Sequence, residues 1–159
     1  MKKIGIVLVL ALSFLLTACS DEVPRDAIVS YVSANAKVLE AFPYDEMEKI
    51  LLGEDKSDVK QTKEEELIND YLGNSTIVKS VYAYNDDILS FYCGGSGMLQ
   101  HSTYTGFYFS KNDKPFALEF EGCDLTETTP GVFEWEDERH RIRTEKIQDC
   151  WYYYYQEWI

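Results

Sequence analysis

Cys150-Trp151-Tyr152-Tyr153-Tyr154-Tyr155-Gln156-Glu157-Trp158 is the aromatic run near the end of the chain from which the fold can be read. Aromatic side chains suit a pleated, half-buried surface, so the run reads as a β-strand over about 150–158. Successive strand residues point to opposite faces. Trp151, Tyr153 and Tyr155 therefore line one face, and Tyr152, Tyr154 and Trp158 the other. One set fills a core. The second is either covered by another element or left as a surface stripe, where Tyr152, Tyr154 and Trp158 would stack on sugar rings or anchor a partner protein.

Working back from this run, the period of two persists to Ile77. It predicts strands over about 76–84, 88–93, 104–110, 115–121, 131–136 and 140–148. Phe116, Leu118 and Phe120 would face one way in the fourth of these, with Glu119 and Glu121 facing the other. Asn85-Asp86-Asp87 and Thr129-Pro130-Gly131 read as turns. Cys93-Gly94-Gly95-Ser96-Gly97 breaks the pattern and reads as a flexible connection. It lacks the Lys-Ser/Thr of a phosphate-cradling loop and opens no helix.

Before Ile77 the spacing is helical. Ile28, Tyr31, Val32, Asn35, Val38, Leu39 and Phe42 predict a helix over about 24–42, begun by Pro24 and ended by Pro43. Asp45 with Glu48 starts a short second helix stopped by Gly53, and Thr62-Lys63-Glu64-Glu65 caps a third stopped by Gly73. Helices first and strands afterwards predict an α+β domain over 24–159. About three N-terminal helices would pack on a curved antiparallel meander of about six to seven strands.

Ahead of the domain, Lys2-Lys3, the apolar run Ile4 to Leu16 and the small residues Thr17-Ala18 have the layout of a secretory signal, too short to span a bilayer. Leu16-Thr17-Ala18-Cys19 resembles the lipobox of bacterial lipoproteins. The resemblance implies a signal peptide over 1–18, diacylglycerol on the Cys19 thiol, and N-acylation of the new terminus. The membrane partner is then reached through the lipid on Cys19, and several acyl chains hold where one would not. In this lipoprotein class Asp directly after the cysteine favours inner-membrane retention. Here that place is Ser20, so the outer membrane is favoured if the host has one. Residues 19–23 leave only a short tether.

Removing Lys2 and Lys3 with the leader takes the formal net charge from −13 to −15. So acidic a chain argues against nucleic acid as a partner and against a peripheral grip on anionic lipid. Besides Cys19 the exported chain carries Cys93, Cys123 and Cys150, an odd number that permits one intramolecular bridge at most. In a simple meander Cys123 and Cys150 occupy turns at one end of the sheet, which predicts a Cys123–Cys150 disulfide, while Cys93 shares a buried face with Leu89 and Phe91.

Catalysis would need Cys93 activated by His101 or His140, or two facing carboxylates, and the spacing marks neither arrangement. No paired Cys or His spacing points to a metal, and no cofactor motif is present. The acids Glu134, Glu136, Asp137 and Glu138 read as a solvated turn. The expected function is therefore a lipid-anchored cell-envelope protein, leaning non-enzymatic, that binds an envelope protein or glycan through its sheet. The rival readings are an envelope hydrolase, or an inhibitor or immunity-type protein that uses its acidic surface.

Overall fold

The computed structural model describes residues 21–52, 66–73, 75–98, 101–120 and 122–159. Cys19 and its lipobox, the start of the third expected helix at Thr62, and Asn74 lie outside the described residues. The fold is α+β and dominated by its sheet. Short helices α1 (Arg25–Ala34), α2 (Ala36–Glu40) and α3 (Tyr44–Leu52) come first, followed by helical residues 66–72 (α4). Seven strands follow: β1 (Ser80–Asn85), β2 (Ile88–Met98), β3 (His101–Ser110), β4 (Thr126–Thr129), β5 (Val132–Glu136), β6 (His140–Gln148) and β7 (Trp151–Trp158).

The expected first helix is broken at Asn35. Its side-chain Nδ2 donates to the Tyr31 carbonyl at 2.8 Å, where its own backbone N–H already donates at 3.0 Å. This local competition for a helical carbonyl ends α1 and restarts the chain as the single turn α2. Both helices nevertheless bury the expected residues, Ile28, Val32 and Leu39.

All strand pairs are antiparallel, but the sheet is not a simple meander. Its order is β1-β2-β3-β7-β6-β5-β4. One meander runs β1 to β3. The chain then crosses to the far edge, lays down β4, and returns inward so that β7 beds against β3. The tyrosine strand is thus the middle strand of the sheet. Cys93 to Gly97 forms no loose connection either, because β2 continues through it to Met98, with an irregularity between Tyr92 and Gly94. Gly94 is glycine because a Cβ there would stand 2.1 Å from the Asp21 carbonyl oxygen.

The stretch expected as a strand over 115–121 contains no strand among its described residues. Asp113 and Glu119 adopt left-handed backbone at φ 50° and 66°, and Gly122 follows at 87°, so the extended path is interrupted. The segment instead crosses the sheet face away from the helices. It presses Leu118 onto Ile88, Tyr108, Tyr152 and Tyr154. Helices cover the opposite face, where Phe91, Phe107, Trp151 and Tyr153 meet Ile28, Val32, Leu39, Phe42 and Met47. On that same face Glu145, almost fully buried, accepts from Arg25 Nε at 2.8 Å and Arg143 Nε at 2.7 Å, tying α1 to β6.

The crossover is clamped by Asp113. Its carboxylate accepts from Lys146 Nζ at 2.6 Å, the Cys150 N–H at 2.8 Å and the Tyr152 hydroxyl at 3.1 Å. The Lys146 ammonium, joined by the Cys150 N–H and the Tyr152 hydroxyl, holds the Asp113 carboxyl below its usual range. A carboxyl lowered by folding stabilises the fold above its unfolded value near about 4, and that contribution is lost as pH falls through the folded value. Asn fits the same backbone and keeps Oδ1 as acceptor for Cys150 and Tyr152, so Asp113→Asn removes the charge and the acceptor that faces Lys146. Because both partners are partly exposed, its expected cost is about 1 kcal/mol at pH 7. Urea unfolding at neutral pH and near pH 3 checks this: the difference from wild type should narrow in acid, and an equal difference at both would overturn the ionic account.

A tyrosine groove as the candidate functional site

Among the described residues, the face opposite the helices is covered along its middle by the crossover. On the β1–β2–β3 side of that cover lies a cavity of about 200 Å³. Tyr82 and Tyr84 reach it from β1, Tyr92 from β2 and Tyr104 from β3, while Tyr154 and Gln156 of β7 and Glu119 of the crossover complete the lining. The register explains the convergence. Tyr82 pairs with Ser90, Gly106 with Tyr92 and Tyr154, and Tyr104 with Gln156, so alternate residues of four neighbouring strands share this face.

The ring positions differ in a way that suits recognition. Tyr82 is 51% exposed and Tyr104 38%, whereas Tyr154 is 4% exposed. The Tyr92 and Tyr104 ring centres stand 6.3 Å apart. Burial, with the neighbouring Glu119 carboxylate, pushes the Tyr84 hydroxyl above its ordinary value, so it stays protonated and donates to Glu119 Oε1 at 3.3 Å. Gln156 Nε2 is committed to the Leu118 carbonyl at 2.6 Å, which fixes the crossover above the groove. Glu119 holds its carboxylate there from a left-handed backbone, a conformation that a non-glycine residue adopts at a cost and that recurs at ligand-contacting positions.

The expected site residues are therefore redistributed. Tyr152, Tyr154 and Trp158 do share a face, but they do not form a surface stripe. Tyr152 is 2% exposed and stacks on Tyr108 at 5.2 Å, under the crossover. Tyr154 contributes only to the groove's interior. Trp158, 40% exposed, lies on the other flank with Phe120 and His140. The aromatic surface is built from Tyr82, Tyr84, Tyr92 and Tyr104 instead. Tyr82 and Tyr84 stand two apart within an expected strand, which signalled a shared face. That the four converge depended on knowing which strands pair.

The cysteine expectations change for the same reason. Cys93, Cys123 and Cys150 are all unbridged. Cys123 lies beside Asp137 at the β5–β6 turn, and Cys150 beside Asp113 and Asp149 at the β6–β7 turn. The length of β6 separates them, roughly 25 Å at the usual rise per strand residue. A bridge needs Cα atoms within about 7 Å, so the expected Cys123–Cys150 disulfide is incompatible with this arrangement. The simple meander that would have joined them is absent.

Burial raises the Cys93 thiol to about 12, so it is neutral at physiological pH. Its neighbours on β3 are Thr105 and Gly106, whereas His101 opens that strand opposite Met98, roughly 15 Å further along. Cys93 and His101 therefore form no nucleophile–base pair. His140 Nδ1 instead meets Asp137 Oδ1 at 3.0 Å, and Asp137 also accepts the backbone N–H groups of Arg139 and His140 at 2.7 Å each. The acids beside it have structural partners, Glu134 with Arg143 at 2.9 Å and Glu136 with Arg141 at 3.1 Å. Among the described residues no group of three His, Cys, Asp or Glu can hold a metal ion, and no helix is long and apolar enough to cross a membrane. Comparison with protein-family models, with curated proteins and with solved structures returned no match.

Proposed function

We propose that this is a non-enzymatic binding protein of the bacterial cell envelope, anchored by lipid on Cys19, which holds a glycan polymer of that envelope in the tyrosine groove. The observation that carries the reading is the row of partly exposed tyrosine rings at Tyr82, Tyr92 and Tyr104 beside the acceptor Glu119. Such rings offer flat apolar contact with little entropy to lose, and the hydroxyl and carboxylate at their edges pair with sugar hydroxyls.

The start of the domain supports a short reach from the bilayer. Asp21 Oδ2 bonds Lys79 Nζ at 2.9 Å, and the Asp21 carbonyl lies against Gly94, so two residues beyond Cys19 the chain is already tied to the sheet. Tyr92 feels the charges of both Lys79 and Asp21, which puts that end of the groove beside the anchored end of the chain.

The test is binding of soluble glycan fragments from a bacterial envelope to the full chain in detergent. Tyr82→Ala with Tyr104→Ala is expected to weaken binding about tenfold or more, since each lost stacking contact is worth about 0.5–1.5 kcal/mol. Both side chains are partly exposed, so the melting temperature should fall by only a few degrees and the variant should stay folded. Undiminished glycan binding by the double variant would refute the groove as the site.

A further inference from the structure

A second cavity lies at the opposite corner of the β1–β2–β3 unit, where the β1–β2 turn meets the start of α3 and the end of β3. We infer that it receives a single basic side chain, lysine or arginine, from a partner protein. It encloses about 180 Å³. That is well short of the roughly 300 Å³ at which drug-sized pockets begin. The size suits one long side chain.

The chemistry of the lining narrows the occupant further. Tyr44 and Phe109, stacked at 4.2 Å, form one wall, and Ile88 and Leu89 supply further apolar surface. Asp45, Asp86 and Asp87 stand around the same cavity, and among the described residues that line it Lys111 is the one cation. An apolar interior beneath a net negative rim suits a hydrocarbon stem that ends in a cation. The three carboxylates do not form a group that could hold a metal ion.

The turn is already set in place. Asn85 Oδ1 accepts the Asp87 N–H at 2.9 Å, and the Asp87 carbonyl accepts the Lys111 N–H at 2.9 Å, so little ordering remains to be done on binding. Lys111 Nζ reaches Asp45 Oδ1 only at 3.8 Å, with both side chains more than half exposed. A pair of that kind contributes little and is readily exchanged for an incoming cation.

The partner is assigned as a protein because one side chain in so small a cavity supplies an anchor rather than a whole affinity. The remainder would come from the acidic surface, which at a formal −13 for the full chain attracts a basic macromolecule over a distance. The site is separate from the tyrosine groove, so either assignment can fail alone.

The experiment titrates the isotope-labelled full chain, in detergent, with a short lysine-and-glycine peptide and with the same peptide acetylated at its lysines. Acetylation keeps the stem and removes the charge. The lysine peptide should shift the amide resonances of Tyr44, Asp86, Asp87 and Ile88, and the acetylated one should not. Asp86→Asn with Asp87→Asn is expected to weaken binding about tenfold, and Lys111→Met, which removes the resident competitor, to strengthen it. Asp124→Asn with Glu138→Gln makes the same change of charge at the other end of the sheet and should leave binding as it was. Equal binding of the acetylated peptide, or equal weakening by the two charge-matched pairs, would overturn the assignment.

Discussion

Gly106→Ala is expected to cost at least about 3 kcal/mol, lowering the melting temperature by roughly 10 °C, although alanine is ordinarily the better residue within a strand. Gly106 sits on β3 between Tyr92 of β2 and Tyr154 of β7. A Cβ there would lie 2.2 Å from the Phe91 carbonyl oxygen, 2.7 Å from Tyr154 Cε1 and 2.8 Å from the Tyr154 hydroxyl. Tyr154 can pack over β3 only because nothing projects from Gly106. The carbonyl belongs to the neighbouring strand and cannot withdraw without opening the β2–β3 ladder. Thermal unfolding of Gly106→Ala, Tyr154→Ala and the double variant separates these contributions. In the Tyr154→Ala background Gly106→Ala should still cost stability relative to Tyr154→Ala alone, since the backbone contact survives the loss of the ring. No further cost in that background would mean that the tyrosine alone sets the requirement.

Gly106 also marks the limit of what local pattern discloses. Alternation along a strand reveals which side chains share a face, and it assigned Trp151, Tyr153 and Tyr155 against Tyr152, Tyr154 and Trp158, with β6 and β7 close to their observed bounds. Alternation carries no information about which strand lies alongside. The pairing of β3 with β7 brings together residues 102–109 and 151–158, a long-range closure that local pattern does not mark. Without that pairing the crossover reads as a strand, because Phe116, Leu118 and Phe120 alternate with Glu119 as a strand would. Left-handed Asp113 and Glu119 undo that reading, and neither residue type demands such a backbone. The groove was hidden with the pairing: four tyrosines on three strands converge only in one register. The acidic turn at Asn85 to Asp87 was legible as a turn, but the α3 start and the β3 end that make it one rim of a cavity were not.

Tyr108→Phe is expected to cost about 2 kcal/mol, near the middle of the range for stranding buried hydrogen-bonding groups. Tyr108 is fully buried beneath the crossover. Its hydroxyl accepts the Phe116 N–H at 2.9 Å and lies 2.8 Å from Thr144 Oγ1, which itself donates to the Tyr153 carbonyl at 3.0 Å. With the threonine proton spent on Tyr153, the tyrosine proton must go to Thr144. A directed chain therefore runs from the crossover backbone through two hydroxyls to β7, and such chains strengthen each bond in them. Removing the hydroxyl leaves the Phe116 N–H and one Thr144 lone pair unpaired, while ring packing against Tyr152 and Leu118 survives. Urea unfolding measures the cost, and hydrogen exchange locates it: the Phe116 amide should lose protection before the amides of β3 and β7 do. A cost below about 0.5 kcal/mol with unchanged exchange at Phe116 would assign the crossover's attachment to Leu118 burial and the Gln156 bond instead. Under the glycan-binding proposal there is a functional consequence as well. Glu119 reaches the tyrosine groove only while the crossover lies flat, so the variant should bind glycan more weakly even where it remains folded.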